Sequence, residues 1–237
     1  PLNGCYDVDT FSTPTADCYG IPAGSIFDND DDGVCNDVDN CPNTSNPGQS
    51  DDDYDCDGTP DDCDATLGGE ITLNFSNATE TSINIDYNLM SCQGIAGFQF
   101  HVNDVDLISA TDGNLTVQIA NNNVIAFDMG GAQLEPGVGS LASLEFFADL
   151  DGATIGLSNV VIGSPGSVEI TVDGPGTADI VACTNFDGDG FCDIDADDDD
   201  DNDGSADDDD SDDNDSSVCH DDDGDTCDEC ASGTVEP

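Results

Sequence analysis

The chain has 237 residues, of which 55 are Asp or Glu and none is Lys or Arg, for a formal net charge of −55. This balance excludes nucleic acid as a partner, since nothing is available to neutralise phosphates, and for the same reason it excludes direct docking to an anionic membrane. No apolar run approaches the roughly 18 residues of a spanning helix, so no direct membrane insertion is expected.

Residues 1–27 form a cysteine-containing N-terminal segment with Cys5 and Cys18. The chain starts at Pro and shows no signal peptide, which predicts a mature, processed form or a portion of something longer.

Residues 28–66 read as a calcium repeat. Positions 28–64 hold 14 acids in 37 residues, and all are Asp; across the chain Asp outnumbers Glu 48 to 7. A short, stiff carboxylate suits loops and hard-cation ligation better than mere solubility. Two stretches align on their glycines: DNDDDGVCNDVD at 28–39 and DYDCDGTPDDCD at 53–64. Each has Asp at positions 1, 3 and 5, Gly at 6 and Asp at 12. A twelve-residue loop can surround Ca²⁺ from positions 1, 3, 5, 7 (backbone), 9 and 12, with Gly at 6 for the sharp turn. The candidate ligands are therefore Asp28, Asp30, Asp32, Asn36 and Asp39, then Asp53, Asp55, Asp57, Asp61 and Asp64.

Residues 67–183 hold the apolar domain. TSINIDYNL (81–89) puts Ile83, Ile85, Tyr87 and Leu89 on one face, a period of two that marks a half-buried strand. ITLNF (71–75), IAGFQFHVN (95–103), NLTVQIA (114–120), NVIAFDM (123–129), LASLEFF (141–147), TIGLSNVVIG (154–163) and SVEITV (167–172) follow suit. Turn chemistry comes from Asp-Gly pairs at Asp112, Asp151 and Asp173 and from Gly-Gly at Gly130. No stretch carries a helical stripe. The fold class expected is mainly β: an antiparallel β-sandwich of eight or nine short strands, jelly-roll or cohesin-like, flanked by irregular, calcium-binding, disulfide-stapled acidic repeats.

Residues 184–231 are a second acidic arm, with 23 acids between 187 and 229 and few apolar side chains. Such a segment cannot bury enough surface to offset its chain entropy, so metals and disulfides must replace a core. DDDNDGSADDDD (199–210) repeats the loop, offering Asp199, Asp201, Asp203, Asp207 and Asp210. The stretch from Asn185 offers Asn185, Asp187, Asp189 and Asp193 but has Ala196 at position 12. A weaker match offers Asp221, Asp223 and Asp225, with Thr226 where Gly is wanted. Residues 232–237 are a tail. Five ions, one per loop, would offset about ten charges. Position 12 is never the longer Glu of an EF-hand, and no amphipathic helices flank the loops, so a sensor-type opening has nothing to move. This favours a structural calcium role.

Twelve cysteines beside Asp, Asn and Gly predict disulfides in an oxidising setting. Zinc at the Cys227–Cys230 pair is the alternative. The spacing does not fix the pairing.

Residues 28–64 closely resemble a thrombospondin type 3 repeat, through DNCP at 39–42, NPGQ at 46–49 and the paired DxDxDG loops. The resemblance implies a chain wrapped around a line of Ca²⁺ ions and stapled by disulfides. The C-terminal arm resembles the same class more loosely over 185–230. The middle domain, with GFQFHV at 97–102 and SLASLEFF at 140–147, resembles a cohesin-like or carbohydrate-binding sandwich.

No enzyme is expected. His101 alternates with Phe100 and Val102 and reads as a surface side chain, and His220 reads as a loop residue. Two His and oxidised cysteines leave no nucleophile–base pair to argue. Sequons for N-glycosylation occur at Asn43, Asn74, Asn77, Asn114 and Asn214. The function expected is an extracellular or cell-surface calcium-binding structural protein. Its expected cofactor is Ca²⁺ in several copies, and its expected partner is itself, in a head-to-tail filament, matrix or surface layer. The alternative is an adhesin whose sandwich recognises a glycan, a matrix protein or a partner domain; a third reading is an Asp-rich surface that binds calcium mineral.

Overall fold

A computed structural model describes residues 18–20 and 25–218. Most of the N-terminal segment with Cys5, the loop of Asp221, Asp223 and Asp225, His220, Cys219, Cys227, Cys230 and the 232–237 tail lie outside the described residues.

Ten strands and one short 3₁₀ turn make up the regular structure among the described residues: β1 Glu70–Ser76, β2 Ser82–Met90, β3 Gly97–Asn103, β4 Leu107–Thr111, β5 Thr116–Ala120, β6 Asn123–Phe127, β7 Gly137–Phe146, β8 Ala153–Ser164, β9 Val168–Asp173 and β10 Thr177–Ile180. The hydrogen-bonded order is β4-β7-β2-β1-β9-β8-β3-β6-β5, with β10 on β8 beside β9. The two halves of this path form the layers of the sandwich, and β9 passes between them. It pairs with β8 in one layer and with β1 in the other.

The β1–β9 pair is parallel, so the sheet is mixed rather than purely antiparallel. All other pairs are antiparallel. The eight expected strands are present. The spacing missed β4 and β10, which are short edge strands without alternation of buried and exposed residues. The β5–β6 hairpin turns on Asn121 and Asn122, both left-handed at φ 49° and 60°. Two positive φ values are what a tight primed turn requires, and Asn accepts them.

Alternation works as physics predicts. In β2, Ile83, Ile85, Tyr87 and Leu89 are all buried. They meet Ile71 and Leu73 of β1, Leu144 and Phe146 of β7, and Phe98, Phe100 and Val102 of β3 in one core. Tyr87 lies against Gly139, where a Cβ would come within 2.6 Å of its hydroxyl, and that hydroxyl donates to the Glu135 carbonyl at 2.7 Å. His101 is half-exposed on β3, 3.3 Å from Asn123 Oδ1.

The acidic arms attach at opposite ends of the strands. The first arm meets the end where β8 finishes. Cys56 is bonded to Cys92 just past β2, the Cys92 N–H donates to the Asp55 carbonyl at 2.8 Å, and Tyr54 donates its hydroxyl to the Pro165 carbonyl. The second arm meets the end where β8 begins. There the Cys183 N–H donates to the Asp149 carbonyl at 3.1 Å, and the Ala148 N–H to Asp195 Oδ2 at 2.6 Å. β8 has 12 residues, so the two attachment points are roughly 35 Å apart along the strand.

Four disulfides are present among the described residues: Cys18–Cys35, Cys41–Cys63, Cys56–Cys92 and Cys183–Cys192. They mark a protein of an oxidising, extracellular or secreted setting. No helix among the described residues is long and apolar enough to cross a membrane.

Candidate metal sites in the acidic arms

Four of the expected loops are described: 28–39, 53–64, 185–196 and 199–210. They share one backbone. The N–H of the ninth residue donates to the carbonyl just before the loop: Asn36 to Phe27 (2.9 Å), Asp61 to Asp52 (2.7 Å), Asp193 to Thr184 (3.1 Å) and Asp207 to Asp198 (3.0 Å). The ninth side chain then accepts the N–H of the second residue. Asn36 takes Asn29 (2.9 Å), Asp61 takes Tyr54 (2.7 Å), Asp193 takes Phe186 (3.1 Å) and Asp207 takes Asp200 (2.9 Å). The sixth residue is Gly at φ between 95° and 108° in all four (Gly33, Gly58, Gly190, Gly204), where a Cβ would be strained. The fourth residue is left-handed too: Asp31, Cys56, Gly188 and Asn202.

This backbone aims the carboxylates. The third-position Asp accepts the N–H of the fifth residue, at 3.3 Å for Asp30, 3.2 Å for Asp55, 2.9 Å for Asp187 and 3.1 Å for Asp201. The fifth accepts the N–H of the seventh, at 2.8 Å for Asp32, 2.7 Å for Asp57, 2.8 Å for Asp189 and 2.8 Å for Asp203. Asp28, Asp53 and Asp199 accept the glycine N–H at 2.9, 3.0 and 3.1 Å. Oxygens of Asp28, Asp30 and Asp32 lie within 4.8 Å of one another, as do those of Asp53, Asp55 and Asp57, and of Asp199, Asp201 and Asp203. The twelfth residues Asp39, Asp64 and Asp210 each accept the N–H two residues on, at 2.8, 2.8 and 2.9 Å.

The third loop departs from the sequence reading. Asn185 accepts the Gly188 N–H at 2.6 Å, and Asp187 and Asp189 converge with Asp197. Asp197 stands one place beyond Ala196. It accepts the Asp199 N–H at 3.2 Å, the same bond to the second residue on that the twelfth residues make. Asp197 therefore fills the missing twelfth position. The signal for it was an acid displaced by one residue, masked by the run of five Asp at 197–201.

After these bonds many oxygens have no partner. Oδ2 of Asp30, Asp39, Asp55, Asp64, Asp197, Asp201 and Asp203, and Oδ1 of Asp53, are shielded from water and accept no hydrogen bond. Buried carboxylate oxygens are normally satisfied. Like charges brought within 4.8 Å of one another repel. The chain has no Lys or Arg to offset this. Burial raises the carboxyls of Asp30, Asp55 and Asp201 above the usual range, and repulsion adds to the rise: from Asp32 and Asp39 on Asp30, from Asp57, Asp64 and Asp53 on Asp55, and from Asp203, Asp210 and Asp199 on Asp201. The donor set fits a hard cation. Oxygens on one Ca²⁺ at about 2.3–2.6 Å are at most about 5 Å apart. The residues that could hold it are those at positions 1, 3, 5 and 12, with Asp197 in the third loop. The ninth residues close the loop.

Between the loops of the first arm, the NPGQ stretch folds back. The Asn46 N–H donates to Asp32 Oδ2 at 2.9 Å, and Gln49 Nε2 donates to Asp39 Oδ1 at 2.9 Å. All five sequon asparagines, Asn43, Asn74, Asn77, Asn114 and Asn214, are exposed.

No protein-family model matches this chain, and no curated protein matches it. Among solved structures, the chain is similar to a type I cohesin–dockerin complex from Clostridium thermocellum at 12% identity and a TM-score of 0.39, over 47% of this chain and 92% of that one. It is also similar to a non-cellulosomal cohesin from the hyperthermophilic archaeon Archaeoglobus fulgidus, at 14% identity and a TM-score of 0.35, over 48% and 92%. A cohesin module from a family 33 glycoside hydrolase of Clostridium perfringens gives 9% identity and a TM-score of 0.35, over 50% and 98%.

Proposed function

We propose that this chain is a non-enzymatic, extracellular calcium-binding structural protein and that it assembles head to tail through its acidic arms into a calcium-stabilised filament, matrix or surface layer. The observation that carries the calcium reading is the set of buried, unpartnered carboxylate oxygens converging in and beside four like-built loops, in a chain without Lys or Arg. Asp28, Asp30, Asp32 and Asp39 would hold one ion, Asp53, Asp55, Asp57 and Asp64 a second, Asp187, Asp189 and Asp197 a third, and Asp199, Asp201, Asp203 and Asp210 a fourth. Bound Ca²⁺ supplies the positive charge that lets the arms stay compact. The resemblance of residues 28–64 to a thrombospondin type 3 repeat supports the same reading.

The layout supports self-association. The arms attach at opposite ends of the sandwich, so the two ends differ and both are rich in cation ligands. Contacts between unlike ends are heterologous and generate open filaments when they do not close. Electron microscopy of the purified protein in millimolar Ca²⁺ tests this. Filaments or sheets that fall apart on chelation are expected. Single particles at high protein concentration in Ca²⁺ overturn the assembly reading.

A second reading rests on the outer face of the β8-β3-β6-β5 layer. Ile125 and Phe127 of β6 and Val161 of β8 are each more than 40% exposed there. An adhesin that takes a partner protein on this face would bind it as a calcium-loaded monomer. The face has one aromatic ring and no Trp, which weighs against a glycan platform.

A further inference from the structure

The third and fourth loops are separated by only two residues, 197 and 198, whereas thirteen separate the first from the second. This closeness creates a cluster that the twelve-residue pattern does not contain. Oxygens of Asp193, Asp197 and Asp200 lie within 4.8 Å of one another. Asp193 is the ninth residue of one loop, Asp200 the second residue of the next, and Asp197 the junction between them. Asp193 and Asp200 belong to no set that positions 1, 3, 5 and 12 define in their loops, and Asp197 already stands with Asp187 and Asp189 in the third.

Asp200 is a buried residue, only 7% exposed. Its Oδ1 is out of contact with water and accepts no hydrogen bond, and Asp197 Oδ2 is in the same condition. The other carboxylates near Asp200, on Asp207 and Asp213, add only negative charge. The backbone does not relieve the group, because the Asp200 N–H goes to Asp207 Oδ1. The Asp193 carboxylate is held by the Phe186 N–H through Oδ1 alone. The Asn202 side-chain amide of the fourth loop donates to Asp187 Oδ2 of the third, a direct bond between the two loops.

We infer that a further Ca²⁺ binds between the third and fourth loops, held by Asp193, Asp197 and Asp200, with the Asp197 carboxylate shared with the ion of the third loop. This deepens the calcium reading and rests on it. A shared carboxylate between two ions makes the two loops one binding unit, so the second arm is clamped across the loop junction rather than loop by loop.

The test counts Ca²⁺ per full chain by native mass spectrometry, for the wild type, Asp200→Asn, Asp201→Asn and the double variant. Asp201 serves the fourth loop only. The expected result is one ion fewer in each single variant and two fewer in the double. An unchanged count in Asp200→Asn, with one ion lost in Asp201→Asn, overturns the junction site and leaves the loop reading standing. No bound Ca²⁺ in the wild type overturns both. Should Asp200→Asn fail to fold, anomalous scattering from Ca²⁺-grown crystals of the wild type decides. A peak about 2.3–2.6 Å from oxygens of Asp193, Asp197 and Asp200 confirms the site, and peaks in the loops alone overturn it.

Discussion

At the scale of single residues, the arms are governed by where each carboxylate sends its two oxygens. One oxygen is spent on a backbone N–H a few residues away, which is why Asp rather than Glu dominates: the short side chain reaches its own turn. In Asp30, Asp39, Asp55, Asp64, Asp197, Asp201 and Asp203 the other is buried and accepts no hydrogen bond, whereas Asp28, Asp32 and Asp199 accept N–H groups on both. Burial, then repulsion from Asp207, Asp193, Asp197 and Asp213, pushes Asp200 up to about 6. Burial raises Asp30, Asp55 and Asp201 as well. An acid that holds its proton more tightly when folded than when unfolded favours folding at low pH. In calcium-stripped protein that contribution is present below the unfolded value near 4 and is lost as pH rises through about 6. Calcium requires the ionised forms, so with Ca²⁺ the dependence reverses. Thermal unfolding midpoints between pH 4 and 7 should fall with pH in the stripped protein and rise with pH in millimolar Ca²⁺. A stripped protein that gains stability over this range contradicts the account. Positions 1, 3, 5, 6 and 12 were legible from spacing. The loop-closing role of Asn36, Asp61, Asp193 and Asp207 was not, because ligation and backbone capping use the same residue types. Asp200 was not legible at all: its importance comes from the packing of two loops.

At the scale of elements, strand alternation carried most of the sandwich. Seven of the eight readable strands bury residues of the core, and β5, an edge strand with none buried, was readable from the apolar alternation of Leu115, Val117 and Ile119 in its sequence. β4 and β10 were not, since short edge strands need no such pattern. The parallel β1–β9 seam is a property of the path between layers, which no local pattern encodes. The disulfide map was equally beyond spacing. Its consequence is that the arms are stapled to different things: Cys41–Cys63 joins the two loops of the first arm, and Cys56–Cys92 fastens that arm to the end of β2. Closing a separation of 36 residues restrains the unfolded chain by about 4 kcal/mol in the chain-entropy account. Replacing Cys56 and Cys92 together by Ser should therefore lower unfolding free energy in denaturant titration by a few kcal/mol. The same pair should increase proteolysis within 50–66, with the sandwich strands intact. An unchanged stability and an unchanged cleavage pattern would show that Tyr54 and the Asp55–Cys92 backbone bond hold the arm unaided.

At the scale of the whole molecule, two kinds of cohesion are joined in one chain. The sandwich is held by a continuous apolar core. The described parts of the arms bury few large side chains: Cys35, Cys41 and Cys192 are their buried hydrophobics, and Asp39, Asn46, Asp55, Asp200, Asp201 and Ser205 are buried beside them. An arm with polar groups inside and no cation of its own must take its counter-charge from solution. Under the calcium reading proposed above, the molecule divides into a calcium-independent centre and calcium-dependent ends. Amide hydrogen exchange of the full chain, read by mass spectrometry in millimolar Ca²⁺ and again after chelation, tests this division most directly. The account predicts that residues 28–64 and 185–210 are protected with Ca²⁺ and exchange freely without it, while β1, β2, β3, β7 and β8 stay protected in both. Equal protection of the arms in the two conditions would contradict it.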